Sequence, residues 1–170
     1  MQNIIKHGQR VDDAWQLLRL DSEGQLPAVA DELNVVIPAA EWLAGIDFWQ
    51  QRQGQTAVWL SPDFDPVQLQ HQLQKLDLIA VDFPSFTDGR GYSIGRLLRE
   101  RYNYDKELRA LGDVWQDQLQ ALWQVGFDSF EIKQDKSLEA CQHALKAFSD
   151  HYQSNYRQPL PLFRRGSAAV

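Results

Sequence analysis

Leu78-Ile79-Ala80-Val81-Asp82-Phe83-Pro84-Ser85-Phe86-Thr87-Asp88-Gly89-Arg90-Gly91-Tyr92-Ser93 reads as one strand, one loop and the start of one helix. The run from Leu78 to Val81 is short and continuously apolar, which suits a strand covered on both faces. Pro84 has no amide to give a ladder and holds Phe83 extended, so the strand ends there. Gly89 and Gly91 permit positive φ and close approach to backbone amides, and a helix starts near Tyr92.

The same alternation recurs on both sides of this unit. Val35-Val36-Ile37, Ala57-Val58-Trp59-Leu60, Leu108-Arg109-Ala110-Leu111 and Ser129-Phe130-Glu131-Ile132 are further strand candidates, with helical segments between them. Asp65-Pro66 predicts a helix running to about Leu76, because Asp caps free amides and Pro gives up no needed donor at the first position. Asp113-Val114-Trp115-Gln116 reads as a capping box, Leu119, Leu122 and Trp123 as the stripe behind it, and Gly126 as the close of that helix. Ser137 caps a last helix whose Leu138, Cys141, Leu145, Phe148 and Tyr152 share one face, which makes Cys141 a core residue. Five β-α units are too few for an eight-stranded barrel, and their crossovers are right-handed. The expected fold is α/β: an open, mostly parallel three-layer sheet of about five strands with helices on both faces. A partial β/α barrel is the alternative.

At 170 residues, 44% hydrophobic and 24% charged, the chain has the length and composition of a single globular domain. Residues 1–33 form an irregular or edge-hairpin lead-in, 34–152 the α/β core, and 153–170 an extended arm stiffened by Pro159 and Pro161, with Gly166 to Val170 disordered. The single cysteine excludes an intramolecular disulfide, a structural zinc site and an iron–sulfur cluster within this chain. It also points to a reducing compartment. The N-terminus has no signal-peptide core and no apolar run spans a membrane, so the expected location is cytoplasmic, away from membranes. A net charge of −6 argues against nucleic acid as a partner, and most of the six tryptophans lack the basic neighbours of a base-stacking platform.

Charge is unevenly spread. From Arg90 to Arg109 there are six basic residues (Arg90, Arg96, Arg99, Arg101, Lys106, Arg109) against three acidic ones (Glu100, Asp105, Glu107), so this window is net +3 and the remainder net −9. It is either a solvated helix face with i, i+4 pairs or a site for an anion or acidic partner.

In open parallel sheets ligands sit beyond the carboxyl ends of the strands. Asp82, Asp113 and Glu131 stand at or next to such ends and are the catalytic candidates, as acid and base or as oxygen ligands gathered on one rim; no metal site is assigned. Asp113 is equally explained as a helix cap. Thr87, Asp88, Gly89, Arg90, Gly91, Tyr92, Ser93 and Arg96 form a candidate anion- or partner-binding loop, where helix amides and Arg90 present positive charge. The spacing Gly89-Arg90-Gly91 with Gly95 fits a dinucleotide fingerprint poorly, since Phe83 to Asp88 intervene and the last glycine falls one position late. The cofactor is left open.

The run Val81-Asp82-Phe83-Pro84-Ser85-Phe86-Thr87-Asp88-Gly89-Arg90-Gly91-Tyr92-Ser93-Ile94-Gly95-Arg96-Leu97-Leu98-Arg99-Glu100-Arg101 resembles the hallmark of a bacterial family, domain of unknown function 934. So do Glu107-Leu108-Arg109-Ala110, Gly112-Asp113-Val114, Asp117-Gln118-Leu119, Gly126-Phe127-Asp128 and Pro161-Leu162-Phe163-Arg164-Arg165. The likeness is densest from about residue 78 to 132 and weak before residue 33. Members are typically encoded beside sulfite reductase and other sulfate-assimilation genes, and carry the label of probable oxidoreductase in sulfite reduction. The resemblance implies an accessory or partner-binding protein of assimilatory sulfite reduction, with sulfite reductase or another sulfate-assimilation enzyme as partner. The alternative is an oxidoreductase or other small-molecule enzyme of sulfite reduction that uses the strand-end carboxylates and Arg90.

Overall fold

The five apolar runs are all strands of one sheet in the computed structural model, which describes residues 3–132 and 155–160. In chain order the strands are β1 (Asn3–Lys6), β2 (Gln9–Val11), β3 (Trp15–Leu17), β4 (Asn34–Pro38), β5 (Thr56–Leu60), β6 (Leu78–Phe83), β7 (Glu107–Gly112) and β8 (Ser129–Ile132). They pair in the order β2-β1-β8-β7-β6-β5-β4-β3. Every neighbour from β3 to β8 is parallel, while β1 pairs antiparallel with both β2 and β8.

This topology forces curvature. β2 and β3 lie at opposite edges of the sheet, yet only Asp12, Asp13 and Ala14 separate them in the chain. The four steps from Val11 to Trp15 reach at most about 14 Å, whereas a flat sheet of this many strands would hold its edges about 33 Å apart. The sheet therefore curls into an open half-barrel.

Among the described residues the α-helices are α1 (Ala39–Ala44), α2 (Ile46–Gln50), α3 (Arg90–Arg96), continued by a π-turn over Leu97–Arg101, and α4 (Leu119–Val125). Alternation along the strands sorts their side chains. Ile37, Val58, Ile79, Val81, Leu108 and Phe130 pack with Trp42 of α1, Ile94 of α3 and Leu119 and Leu122 of α4. The intervening residues Val36, Ala57, Leu78, Ala80 and Leu111 form a second, smaller cluster with Trp15, Leu17 and Trp59.

Two expectations are corrected. The sheet has eight strands rather than about five, because residues 1–33 contribute three strands of three or four residues, too short and too polar to stand out as apolar runs. Helices cover one face among the described residues, not both, because no helical side chain joins the second cluster.

Local signals also resolve. Asp65 caps as expected, its carboxylate accepting from the Val67 amide at 3.0 Å. The helix expected from there to Leu76 is instead two 3-10 turns, Pro66–Leu69 and Leu73–Lys75, which suffice to bury Leu69, Leu73 and Leu76. The capping contact placed at Asp113 lies two residues later, where the Gln118 side chain accepts from the Trp115 amide at 3.0 Å. Gly126 closes α4 in the left-handed region at φ 113°. The helix expected after Ser137, with Cys141 on its buried face, and the tail from Pro161 lie outside the described residues. No helix among the described residues is long and apolar enough to cross a membrane.

Candidate functional site

Strand alternation places chemistry on the inner face. Because Val81 and Phe83 face the helices, Asp82 faces the other way; by the same rule Leu108 and Ala110 turn Glu107 and Arg109 inward, and Phe130 and Ile132 turn Ser129 and Glu131 inward. Lys6 of β1, Asp13 of the linker and Arg19 just beyond β3 complete the group.

Arg109 is the centre of one half. Its guanidinium donates to Asp13 Oδ1 at 2.9 Å and to Glu107 Oε1 at 3.0 Å. Glu107 also accepts from Lys6 Nζ at 2.5 Å and from Ser129 Oγ at 2.6 Å. Burial pushes the Glu107 carboxyl up, but these hydrogen bonds and the Arg109 charge outweigh it and hold the group below its ordinary value. In the other half Arg19 donates to both Asp82 oxygens, at 2.9 and 3.4 Å, and its guanidinium lies 5.0 Å from the centre of the Trp59 ring.

Glu131 differs from its neighbours. Its carboxyl is half-buried and accepts no hydrogen bond among the described residues. Burial raises it above the ordinary 4.5, with the charges of Asp13 and Asp82 adding to that and those of Arg109 and Arg19 opposing it. Lys6, Arg19 and Arg109 are matched by Asp13, Asp82 and Glu107, so an ionised Glu131 leaves the cluster with one uncompensated negative charge. A carboxyl in that position keeps its proton to higher pH than an exposed glutamate does, and the arginines beside it can hold an anionic group.

Of the strand-end acids, then, Asp82 and Glu131 share this face and Asp113 does not. Gly112, at φ 97°, turns the chain out of the strand, and Asp113 accepts from the Phe86 amide at 3.1 Å and from Trp115 Nε1 at 3.0 Å. A methyl on Gly112 would meet Phe83 O at 2.5 Å, so glycine is required there twice over. Among the described residues no group of three or more histidines, cysteines or carboxylates is gathered as for a metal.

The glycine-bearing loop sits outside this cluster. Arg90 begins α3, and its guanidinium is engaged by Asp88 on two nitrogens and by Asp63. Asp88 also accepts from the Arg90 amide at 3.1 Å, so the helix start is capped by the chain's own carboxylate. That bonding lowers Asp88 below its ordinary 3.8 and raises Arg90. Thr87 shares a hydroxyl contact with Ser85 at 3.3 Å, Gly89 is exposed, and Arg96 pairs with Glu100 at 2.9 Å, as an i, i+4 partner on the surface does. Gly91 and Gly95 face the sheet: an added methyl would lie 2.5 Å from the Phe83 and Phe127 rings respectively, so these glycines set helix-to-sheet packing. Tyr92 packs edge-on to Phe83 at 5.6 Å and Ser93 is exposed.

Sequence reasoning missed Lys6, Asp13, Arg19, Glu107 and Arg109. A signal was present: Glu107 and Arg109 stand at alternate positions of Glu107-Leu108-Arg109-Ala110, and Asp82 follows the apolar run Leu78-Ile79-Ala80-Val81. The basic window is likewise not one solvated face. Arg99 is buried and donates to the carbonyls of Gly126, Tyr104 and Lys106 and to Asp128, while Arg109 belongs to the inner cluster. A cleft along α3 is lined by Ser93, Arg96, Leu97, Glu100 and Arg101, and so takes in two residues of the candidate loop, whereas the cleft below β5 takes in none of the candidates.

A family model described as bacterial protein of unknown function, domain of unknown function 934, matches residues 57–163. That span carries Asp82, Glu107, Arg109 and Glu131, whereas Lys6, Asp13 and Arg19 precede it. No curated protein and no solved structure matches the chain.

Proposed function

We propose that this chain, which belongs to the bacterial family of domain of unknown function 934, handles a small polar molecule on the inner face of its half-barrel as part of assimilatory sulfite reduction. The observation that carries the site is Glu131: a half-buried carboxyl with no hydrogen bond among the described residues, raised by burial, within the field of two arginines and two aspartates. In this reading Glu131 gives or takes the proton. Arg109, locked by Asp13 and Glu107, supplies fixed positive charge, and Arg19, steered by Asp82 and laid over Trp59, is the more exposed cation that meets an anionic group. The sulfite-reduction setting rests on the family resemblance.

The test is genetic and structural together. A deletion strain is expected to grow poorly on sulfate or sulfite as sole sulfur source and normally with cysteine. Glu131→Gln, which keeps the shape and removes the proton site, is expected to melt like the parent protein and fail to restore growth. Equal growth of deletion and parent on sulfate counts against the sulfur role, and full complementation by Glu131→Gln counts against proton transfer.

One observation favours the accessory reading instead. Phe86 and Trp115 are 45% and 40% exposed, pack edge-to-face at 5.9 Å, and are both tied to Asp113. An ordered exposed aromatic pair is the kind of anchor a protein partner buries. If Phe86→Ala abolishes both complementation and capture of sulfite reductase while Glu131→Gln does neither, docking is the function.

A further inference from the structure

We infer that the corner between α1 and α2 is a contact for a second copy of this chain, in which Phe48 of each copy enters a cleft of the other. Phe48 is 66% exposed, the most exposed large hydrophobic side chain among the described residues, and α2 buries none of its residues. One exposed aromatic is ordinary on a protein surface; what marks this one is its setting.

The ring is held outward by its neighbours. It packs edge-on against Trp49 with ring centroids 5.0 Å apart. Trp49 is fixed in turn by its Nε1, which donates to Glu41 O at 3.1 Å, and by its amide, which donates to Gly45 O at 3.0 Å. Beside the ring opens a cleft of about 450 Å³, bounded by Leu43, Ile46, Asp47 and Phe48 itself on the α1–α2 corner and by Gln72 and Lys75 at the 3-10 turn Leu73–Lys75. A space of about 150 Å³ already accepts a benzene ring, so the cleft has room for a phenylalanine side chain. Leu43 and Ile46 are half-buried against the core and offer that ring apolar contact.

Charge selects the occupant. Asp47 and Lys75 are exposed on the walls of this one cleft, and neither has a hydrogen-bond or ion-pair partner among the described residues. The patch thus carries one charge of each sign, which favours neither a basic nor an acidic partner and suits a copy of itself. Asp47 is adjacent to Phe48 in the chain, so a ring that enters the cleft of another copy brings Asp47 to the walls that bear Lys75. A two-fold axis makes this exchange twice, covering two phenylalanines and forming two Asp47–Lys75 pairs between copies, as an isologous contact requires. The contact stands on the helical side of the sheet, where Trp42, Leu43 and Ile46 pack, so it leaves the inner face of both copies open.

Sedimentation velocity of the full chain, from about 5 µM to about 1 mM, tests the contact. A monomer–dimer equilibrium with a Kd of about 100 µM or tighter is expected, the weak range that a contact of this extent supports. Phe48→Ala removes an exposed ring and is expected to weaken dimerisation at least about tenfold. Asp47→Lys and Lys75→Asp each bring like charges together and are expected to weaken it about tenfold. An equal mixture of those two variants restores opposite charges at both pairs, and should associate at least about tenfold more tightly than either variant alone. A chain that stays monomeric at every concentration overturns the proposal and leaves Phe48 to a different protein or to solvent. Dimers that ignore Phe48→Ala, or a mixture no tighter than the single variants, put the contact elsewhere and overturn it too. If Phe48→Ala does not fold, the charge-exchanged mixture decides alone.

Discussion

Asp13 and Arg109 lie 96 residues apart in the chain and 2.9 Å apart in the fold, each almost fully enclosed. Asp13 sits in the three-residue link between the two edge strands, so the bond ties the bridge that curls the sheet to the middle of its inner face. The same bond helps to hold the guanidinium in the candidate site.

Breaking that pair should therefore destabilise the whole domain. Asp13→Asn preserves size and removes the charge, leaving Arg109 with Glu107 as its remaining acidic contact. Loss of one partner of a buried pair costs about 3 kcal/mol at the lower end of the usual range. Urea unfolding monitored by tryptophan fluorescence should show the drop in midpoint, and an unchanged midpoint would show that the link is not clamped by this bond.

Glu107 and Glu131 should give opposite pH signatures. Glu107 is held below its ordinary 4.5, so its contribution to stability is present above that value and is lost as pH falls through the folded pKa. Glu131 is held above 4.5, so its contribution is present below that value and is lost as pH rises through the folded pKa. Glu107→Gln is thus expected to be less stable than the parent at neutral pH, with the gap closing in acid. Glu131→Gln is expected to be equal to or more stable than the parent at neutral pH, with the advantage disappearing in acid. Thermal melts across pH 4 to 8 read both, and parallel curves for the two variants would contradict the assignment.

Arg90 is expected to be structural in a modest way. Its partners Asp88 and Asp63 lie with it at an exposed surface, where solvent and salt screen ion pairs. Arg90→Ala should lower the melting temperature slightly, less so in high salt, and retain complementation on sulfate. Asp88→Ala should be the more damaging change, because it removes both the pair and the cap on the α3 amide. Loss of complementation by Arg90→Ala with an unchanged melt would mark the loop as a binding site.

Gly95 sets how closely α3 approaches the sheet. Gly95→Ala places a methyl 2.5 Å from the Phe127 ring, and such overpacking costs about 1 to 3 kcal/mol. Combining it with Phe127→Leu should recover part of the loss, since the smaller side chain leaves room for the methyl. A double variant less stable than the sum of the singles would mean that the contact is not what limits the approach.

The strands and the loop after β6 were legible because each follows from local chemistry. Apolar β-branched runs bounded by turn residues favour extended backbone, Pro84 ends a ladder for want of an amide, and Gly126 closes a helix because its left-handed φ suits glycine. Asp82 and Glu131 were also legible as candidates, since both stand at or next to the carboxyl ends of strands, where open parallel sheets bind ligands. The short strands Gln9–Val11 and Trp15–Leu17 were not, because three residues carry too little period to separate a strand from a loop.

By itself the sequence determined that β-α units repeat, that their strands run parallel, and which side chains alternate along each strand. Only the tertiary structure decided which charges meet. Whether Arg109 lies on a solvated face or inside a cluster depends on Asp13, and Asp13 reaches it because a three-residue link can join opposite edges of an eight-stranded sheet only if the sheet curls. That curl is a property of strand order, a long-range pairing that no window of sequence contains. The balance of six paired charges around a Glu131 that has no partner among the described residues, on which the proposed chemistry rests, exists only once the curl has brought them together.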